Sequence, residues 1–133
     1  MTGNALRKLV QSKLTTLCSQ LYQAGTVQTL SKVYYRLADA DKIYPHIVFS
    51  ISLTRKYDFS RDDVTIDVDV WAKDEKDLQN ITDAVEALFN NINDPQNNFL
   101  PTFFVESIKE VENADKDIRH MVVEITAQNY ERS

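Results

Sequence analysis

The chain has 133 residues, of which 43% are hydrophobic and 26% charged, and this composition is typical of one folded domain spanning residues 1–133. Its 20 acidic and 15 basic side chains give a net charge of -5, so a surface that grips DNA or RNA through clustered Lys and Arg is not expected. Cys18 is the only cysteine, which excludes an intramolecular disulfide and a multi-cysteine zinc site. No apolar run reaches the roughly 20 residues that span a bilayer, and no signal-peptide pattern is present, so we expect synthesis in the cytoplasm and no membrane partner.

The first predicted element is a helix from Asn4 to Ala24. Apolar residues recur there at steps of three and four, which places one apolar stripe along a helix: Leu6, Leu9, Val10, Leu14, Leu17 and Leu21. Gly25 is a plausible stop for this helix. The following segment, which contains "KVYYRLA", is predicted to be extended, without an assigned partner.

Two strands come next. In "YPHIVFSISL" apolar and mostly polar residues alternate, which predicts a half-buried strand that starts after Pro45. In residues 64–71 valines and an isoleucine alternate with Thr65, Asp67, Asp69 and Trp71, which predicts a second strand. The run "TRKYDFSRDD" between them is predicted to be a long hairpin connection, so the two strands should pair antiparallel.

A second helix is predicted in "KDEKDLQNITDAVEALFNNI", with its apolar face running from Leu78 to Ile92 and Asp74 as its N-cap. The runs "TFFVESIKEV" and "IRHMVVEITAQ" predict two further strands. The order helix, strands, helix, strands predicts an α+β domain in which a mostly antiparallel sheet packs against two main helices.

The acidic run "DDVTIDVDVW" raises the question of a metal site, because paired carboxylates can hold the ions of phosphoryl transfer. In a strand, however, Asp67 and Asp69 fall on the face opposite the valines, where solvent alone accounts for them. Glu124 on the last strand could add a third carboxylate, but strand order cannot be deduced from one sequence. The solvated face is the favoured interpretation, and a small metal-dependent phosphoryl-transfer enzyme using Asp67 and Asp69 is kept as an alternative.

Other enzyme motifs are weaker. Two glycines cannot build a phosphate-cradling loop of the P-loop or dinucleotide type. Cys18 lies beside the apolar stripe of the first helix and is interpreted as a buried, inert thiol. His46 and His120 fall in strands and are interpreted as packing or hydrogen-bonding residues. We therefore expect no enzyme activity, no catalytic or metal site and no cofactor.

Two loops carry residue types that are enriched where proteins bury an interface. One is the predicted hairpin tip and the other is "NNFLPTFF"; their candidate interface residues are Arg55, Lys56, Tyr57, Phe59, Arg61, Phe99 and Leu100. Each loop could equally fold back on its own domain, so both interpretations stay open.

Three segments together resemble the tail terminator or tail-completion proteins of long-tailed, siphovirus-like bacteriophages, which join the tail to the head. They are "YPHIVFSI" after an N-terminal helix, "VTIDVDVWAKDEKDLQNITDAVEALF" as a strand that leads directly into a helix, and "DKDIRHMVVEITAQ" as the closing strand. The resemblance covers most of the chain, whereas residues 26–44 and 93–102 contribute little to it.

The resemblance implies a non-enzymatic structural protein of the virion, at the head-tail interface, made in the cytoplasm of the bacterial host. It implies a homo-oligomeric ring, commonly of six subunits, that caps the tail tube, ends its polymerisation and contacts the tail tube protein and the head connector or head-completion protein. DNA would pass through without specific binding, and Asp67 and Asp69 facing the channel would repel its phosphates. A monomeric protein-binding adaptor is the remaining alternative.

Overall fold

The computed structural model describes residues 3–54, 61–90 and 102–130, which form two helices and five strands. In chain order they are α1 (Gly3–Gln23), β1 (Lys32–Tyr35), β2 (His46–Thr54), β3 (Arg61–Ala72), α2 (Glu75–Phe89), β4 (Thr102–Val111) and β5 (Arg119–Tyr130). The strands form one sheet in the order β1-β2-β3-β5-β4. Only β1 and β2 pair in parallel, and the other three pairs are antiparallel. The predicted α+β class with a mostly antiparallel sheet is confirmed.

Helix α1 forms where the apolar stripe predicts it. Leu6, Val10 and Leu14 are almost completely buried, because they lie on one side of the helix and face the sheet. The helix ends at Gln23, and Gly25 follows with a φ of 76°, a left-handed conformation that glycine adopts without steric cost.

Both helices pack on the same face of the sheet, because their buried residues belong to one cluster with alternate residues of the strands. Apart from the bulge of β4 between Val105 and Ser107, each strand sends every second side chain into this core. The contributors from the sheet are Ile47 and Phe49 of β2, Val64, Ile66, Val68, Val70 and Ala72 of β3, Phe103 of β4, and Val123, Ile125 and Ala127 of β5. The alternation predicted for β2 and β3 is therefore confirmed.

Helix α2 begins at a capping residue and ends where the backbone becomes extended. The Asp74 carboxylate accepts a hydrogen bond from the backbone N–H of Lys76 at 3.2 Å, which confirms the predicted N-cap. The helix ends at Phe89, since Asn90 is extended with φ -87° and ψ 111°. The predicted continuation to Ile92 is wrong at Asn90, because an apolar period does not detect where the backbone leaves the helix; Ile92 itself lies outside the described residues.

Two further boundaries differ from the predictions. Strands β2 and β3 extend to Thr54 and from Arg61, and Thr54 pairs with Asp63, so the predicted connection over residues 54–63 is too long. The ladder of backbone hydrogen bonds continues past the last buried side chain, and alternation of apolar residues cannot report that extension. The extended "KVYYRLA" segment contains β1, which forms the sheet edge next to β2. No helix within the described ranges is long and apolar enough to cross a membrane.

Candidate functional site

The face of the sheet opposite α1 and α2, here called the open face, displays the polar half of each strand. On its three central strands the described positions are His46, Val48, Ser50 and Ser52 of β2, Thr65, Asp67, Asp69 and Trp71 of β3, and His120, Val122, Glu124 and Thr126 of β5. None of these positions carries Lys or Arg. The centre of the open face is therefore acidic and hydroxylic, without a compensating cation of its own.

Three carboxylates form the middle of this surface. Asp67 pairs directly with Glu124 across β3 and β5, and Asp69 lies two residues further along the same face of β3. Partial burial raises the pKa of Asp67, and the neighbouring charges of Glu124 and then Asp69 raise it further. Asp67 therefore resists ionisation, and an approaching cation would relieve the repulsion among the three acids whereas an anion would increase it.

Asp69 has a hydrogen-bond partner, which the other two carboxylates lack among the described residues. The Nε2 atom of His120 lies 2.9 Å from its Oδ1 atom, and both side chains are partly shielded from solvent. The His120 ring also stacks on Trp71, with ring centroids 3.7 Å apart and planes at 11°. The stacking fixes the imidazole, so that one nitrogen points at the carboxylate.

His46 continues this row of rings towards β1. Its ring lies parallel to Trp71 at 6.3 Å between centroids and also contacts Tyr34 and Tyr44. The side chain is almost completely buried, and burial lowers its pKa. The neutral ring can donate from Nδ1 to the Ile43 carbonyl, 3.1 Å away. Both histidines thus pack and form hydrogen bonds, as the sequence predicts.

The segment between β1 and β2 covers one corner of the open face. Residues from this segment and from the sheet enclose a hollow of about 270 Å³; its walls are Arg36, Leu37, Ala38, Lys42, Tyr44, His46, Val48, Asp69 and Trp71. This cover explains why Val48 is only 9% exposed although it points away from both helices. The acidic centre, beyond this corner, has no such cover among the described residues.

The described residues supply neither a metal site nor an activated thiol. Within the described ranges no three His, Cys, Asp or Glu side chains are grouped so that they could hold an ion. The structure therefore gives no support to the phosphoryl-transfer alternative. Cys18 is 2% exposed in the core, and burial raises the pKa of its thiol to about 11, which disfavours the reactive thiolate.

The structure places the predicted site residues unevenly. Asp67 and Asp69 lie side by side on the open face, as predicted. The backbone of Arg61 belongs to β3 rather than to a hairpin tip. The other predicted interface residues lie outside the described residues: Arg55, Lys56, Tyr57, Phe59, Phe99 and Leu100.

The contribution of β5 to the site was not predicted, apart from the suggestion that Glu124 might join the aspartates. The contact between His120 and Asp69 and the stacking of His120 on Trp71 depend on β5 pairing with β3, in a register that aligns Trp71 with His120. The sequence signal for this pairing is that β3 and β5 are both alternating strands of similar length. That signal is insufficient, because a single sequence does not give strand order.

Comparison with known proteins shows the fold. No protein-family model and no curated protein matches the chain. Among solved structures, a chain described as "Virion of native gene transfer agent (GTA) particle" is similar with a TM-score of 0.60 and 12% identity, over 89% of this chain and 95% of that one. Another solved chain, whose name states no function, is similar with a TM-score of 0.59 and 12% identity, over 100% of this chain and 98% of its own. The chain therefore shares its α+β fold with a component of a virion.

Proposed function

We propose that the chain is a non-enzymatic structural protein of a phage or prophage tail, which forms a ring that caps the tail tube, ends its polymerisation and joins it to the head connector. Two independent observations support a virion protein. Three sequence segments resemble tail terminators, and the fold is shared with a chain of a virion particle over nearly its whole length. The single observation that carries the ring is the open face, which is acidic and carries no Lys or Arg at the twelve positions named above on its three central strands.

The open face suits the wall of a DNA channel. DNA binds proteins largely through phosphates that displace counterions when they meet Lys and Arg. A wall of carboxylates and hydroxyls gives phosphates nothing to bind, so DNA slides past it. Six subunits of net charge -5 would together carry about -30, a field that repels the duplex from the wall. Asp67 and Asp69 are the residues that we assign to this lining.

The assembly itself is tested by native mass spectrometry over a concentration series, with negative-stain imaging of each species. We expect a closed ring whose hole can pass duplex DNA, either in solution or after tail tubes are added. A chain that stays monomeric in both conditions would contradict the proposal and favour the monomeric adaptor.

The lining role is tested by the double substitution Asp67→Lys and Asp69→Lys in assembled particles. We expect rings to form but DNA ejection and infectivity to fall, because new cations in the channel bind phosphates. The matched control is Asp83→Lys with Glu86→Lys on α2, which makes the same charge change on the helical side of the domain. Unchanged ejection in the Asp67 and Asp69 variant would remove these residues from the channel.

The attachment surface is a separate part of the proposal and rests on sequence alone. Tyr57 and Phe59 are assigned to docking on the tail tube or on a neighbouring ring, because aromatic residues with adjacent cations are typical of interface centres. A chain that lacks residues 56–60, so that β3 stays complete from Arg61, should keep its fold but lose attachment to tubes. Retained attachment would end this assignment.

A further inference from the structure

Positive and negative charges are segregated along the chain. Residues 1–38 contain five basic side chains, Arg7, Lys8, Lys13, Lys32 and Arg36, and no Asp or Glu. The remaining residues contain ten basic and 20 acidic side chains. A subunit with a net charge of -5 thus contains one basic segment, residues 1–38. The fold determines which surface of the subunit this segment forms.

The basic segment lies at one edge of the sheet, because β1 is an outermost strand and α1 packs beside it. The guanidinium groups of Arg7 and Arg36 lie 5.3 and 5.1 Å from the centre of the Tyr35 ring, which anchors both at this edge. Lys8 follows Arg7 on α1, Lys32 begins β1, and both side chains are exposed. We call these four cations, Arg7, Lys8, Lys32 and Arg36, the basic edge.

The basic edge also contains a concave surface that a partner could enter. A groove of about 420 Å³ runs along the outer flank of α1; its walls are Arg7, Lys8, Gln11, Ser12, Thr15 and Thr16. The Gln11 amide donates a hydrogen bond to the Val33 carbonyl at 3.1 Å, so the helix and the edge strand are joined side chain to backbone. This bond occupies an acceptor of the edge strand that another strand would need.

The opposite edge of the sheet is acidic. Strand β4 and the turn after it carry Glu106, Glu110, Glu112, Asp115 and Asp117, against Lys109 and Lys116; we call these five acids the acidic edge. Glu110 is paired with Arg119 at 3.3 Å. Glu106 and Glu112 are exposed, and neither has an ion pair among the described residues. Val111 between them is 40% exposed, which adds an apolar contact to the acidic surface.

The two edges cannot neutralise each other within one subunit. Three strands separate β1 from β4 in the sheet, which at about 4.8 Å between neighbours places the edge strands roughly 19 Å apart. A contact between two copies of the chain can bring the two edges together.

We propose that the basic edge of one subunit docks on the acidic edge of the next subunit, and that repetition of this contact builds the ring of the proposed function. A two-fold symmetric contact through a single edge would place acids against acids or bases against bases, whereas a head-to-tail contact between the two edges places opposite charges together. This inference rests on the proposed function in needing a ring. It also assigns the ring interface to described residues, none of which lies in the two loops predicted from sequence.

The contact is made by side chains rather than by continuation of the sheet. Strand β1 has only four residues, and one of its carbonyls is taken by Gln11. Strand β4 has a bulge between Val105 and Ser107, and bulges prevent a neighbouring strand from continuing the ladder. Electrostatic attraction between the two edges therefore orients the subunits, and the interface should weaken when salt screens it.

The test uses charge reversal with complementation in the full chain. Variant one, Lys8→Glu with Lys32→Glu, has two acidic edges, and variant two, Glu106→Lys with Glu112→Lys, has two basic edges. We expect each variant alone to be monomeric by native mass spectrometry at concentrations where the natural chain assembles. An equimolar mixture should assemble again into rings of alternating subunits with an even number of copies.

The matched control is Lys13→Glu with Lys76→Glu, which changes the net charge as variant one does but lies outside the basic edge; it should assemble normally. If the natural chain forms a closed ring and both variants also form it alone, the interface is wrong while the proposed function stands. If the natural chain forms charge-sensitive open filaments, the interface stands and the ring fails. A natural chain that stays monomeric with and without tail tubes overturns both.

Discussion

The two faces of one sheet show how the same strands serve stability and function. On β3, Val64, Ile66, Val68 and Val70 are almost completely buried against the helices, while Asp67 and Asp69 between them point to the open face. Neighbouring residues only one position apart thus experience opposite environments. On the helical face, packing limits the size and polarity of each side chain. The open face carries carboxylates that the core does not require, so this face can contact a partner.

The largest effect is expected when a carboxylate is introduced on the buried face of β3. Val68→Asp places an unpaired carboxylate in the core and should cost about 4 kcal/mol or more of the free energy of unfolding. Asp67→Val on the other face should change it by less than about 1 kcal/mol, because that position is partly solvated. Urea unfolding followed by the fluorescence of Trp71, the only tryptophan, measures both. Similar losses in the two variants would contradict the assignment of faces.

A second contrast concerns chemical access to the helical side. Since burial raises the pKa of Cys18 from 9.0 to about 11, the thiolate population below pH 9 falls about a hundredfold, and burial blocks a reagent further. We expect an aromatic disulfide reagent to label the native chain at least about a hundredfold more slowly than the urea-unfolded chain. Equal labelling rates would place Cys18 at the surface.

A smaller effect is expected from the aromatic row of the open face. Trp71→Ala removes the stacking with His120 and His46 and should cost about 1–3 kcal/mol of unfolding free energy. The loss should come with a change in the NMR chemical shifts of the His120 ring, because the indole no longer stacks on it. Circular dichroism in urea measures the stability, and NMR spectra of the natural chain and the variant at one pH measure the ring signals. An unchanged free energy of unfolding would show that the stacked rings do not stabilise the fold.

The smallest effect has a defined pH dependence. Since burial and the neighbouring acids raise the pKa of Asp67 above its ordinary value of 3.8, the folded state binds its proton more tightly than the unfolded state. The contribution of Asp67 to stability is therefore present below pH 3.8 and is lost as pH rises through the folded pKa. Asp67→Asn should stabilise the chain at pH 7 by less than about 1 kcal/mol and not at pH 3. Destabilisation at pH 7 would mean that the carboxylate has a favourable partner.

The fold was predictable where side chains alternate against a core. The stripe from Leu6 to Leu14, the alternation in β2 and β3 and the Asp74 cap each report burial or capping directly, and the structure confirms them. The site was predictable only within one strand: the alternation placed Asp67 and Asp69 together. Glu124 and His120 could not be added with certainty, because they reach the aspartates through the pairing of β3 with β5, a contact between segments far apart in sequence.

The charged edges of the sheet could not be predicted from the sequence either, because they also depend on strand order. The charge segregation before Asp39 is visible in the sequence, but its meaning depends on β1 and β4 being the two outermost strands. Strand β1 has four residues and pairs in parallel, so neither its length nor its pattern distinguished it from a loop. Strand order thus converts a compositional feature into two complementary surfaces.

The most direct test of the central claim is a cryo-electron microscopy reconstruction of the assembled protein at a resolution that orients the sheet. We predict a closed ring in which Asp67 and Asp69 face a hole that can pass duplex DNA, with α1 and α2 in the outer layer. A ring whose hole is lined by the helices, with the open face directed outward, would contradict the account.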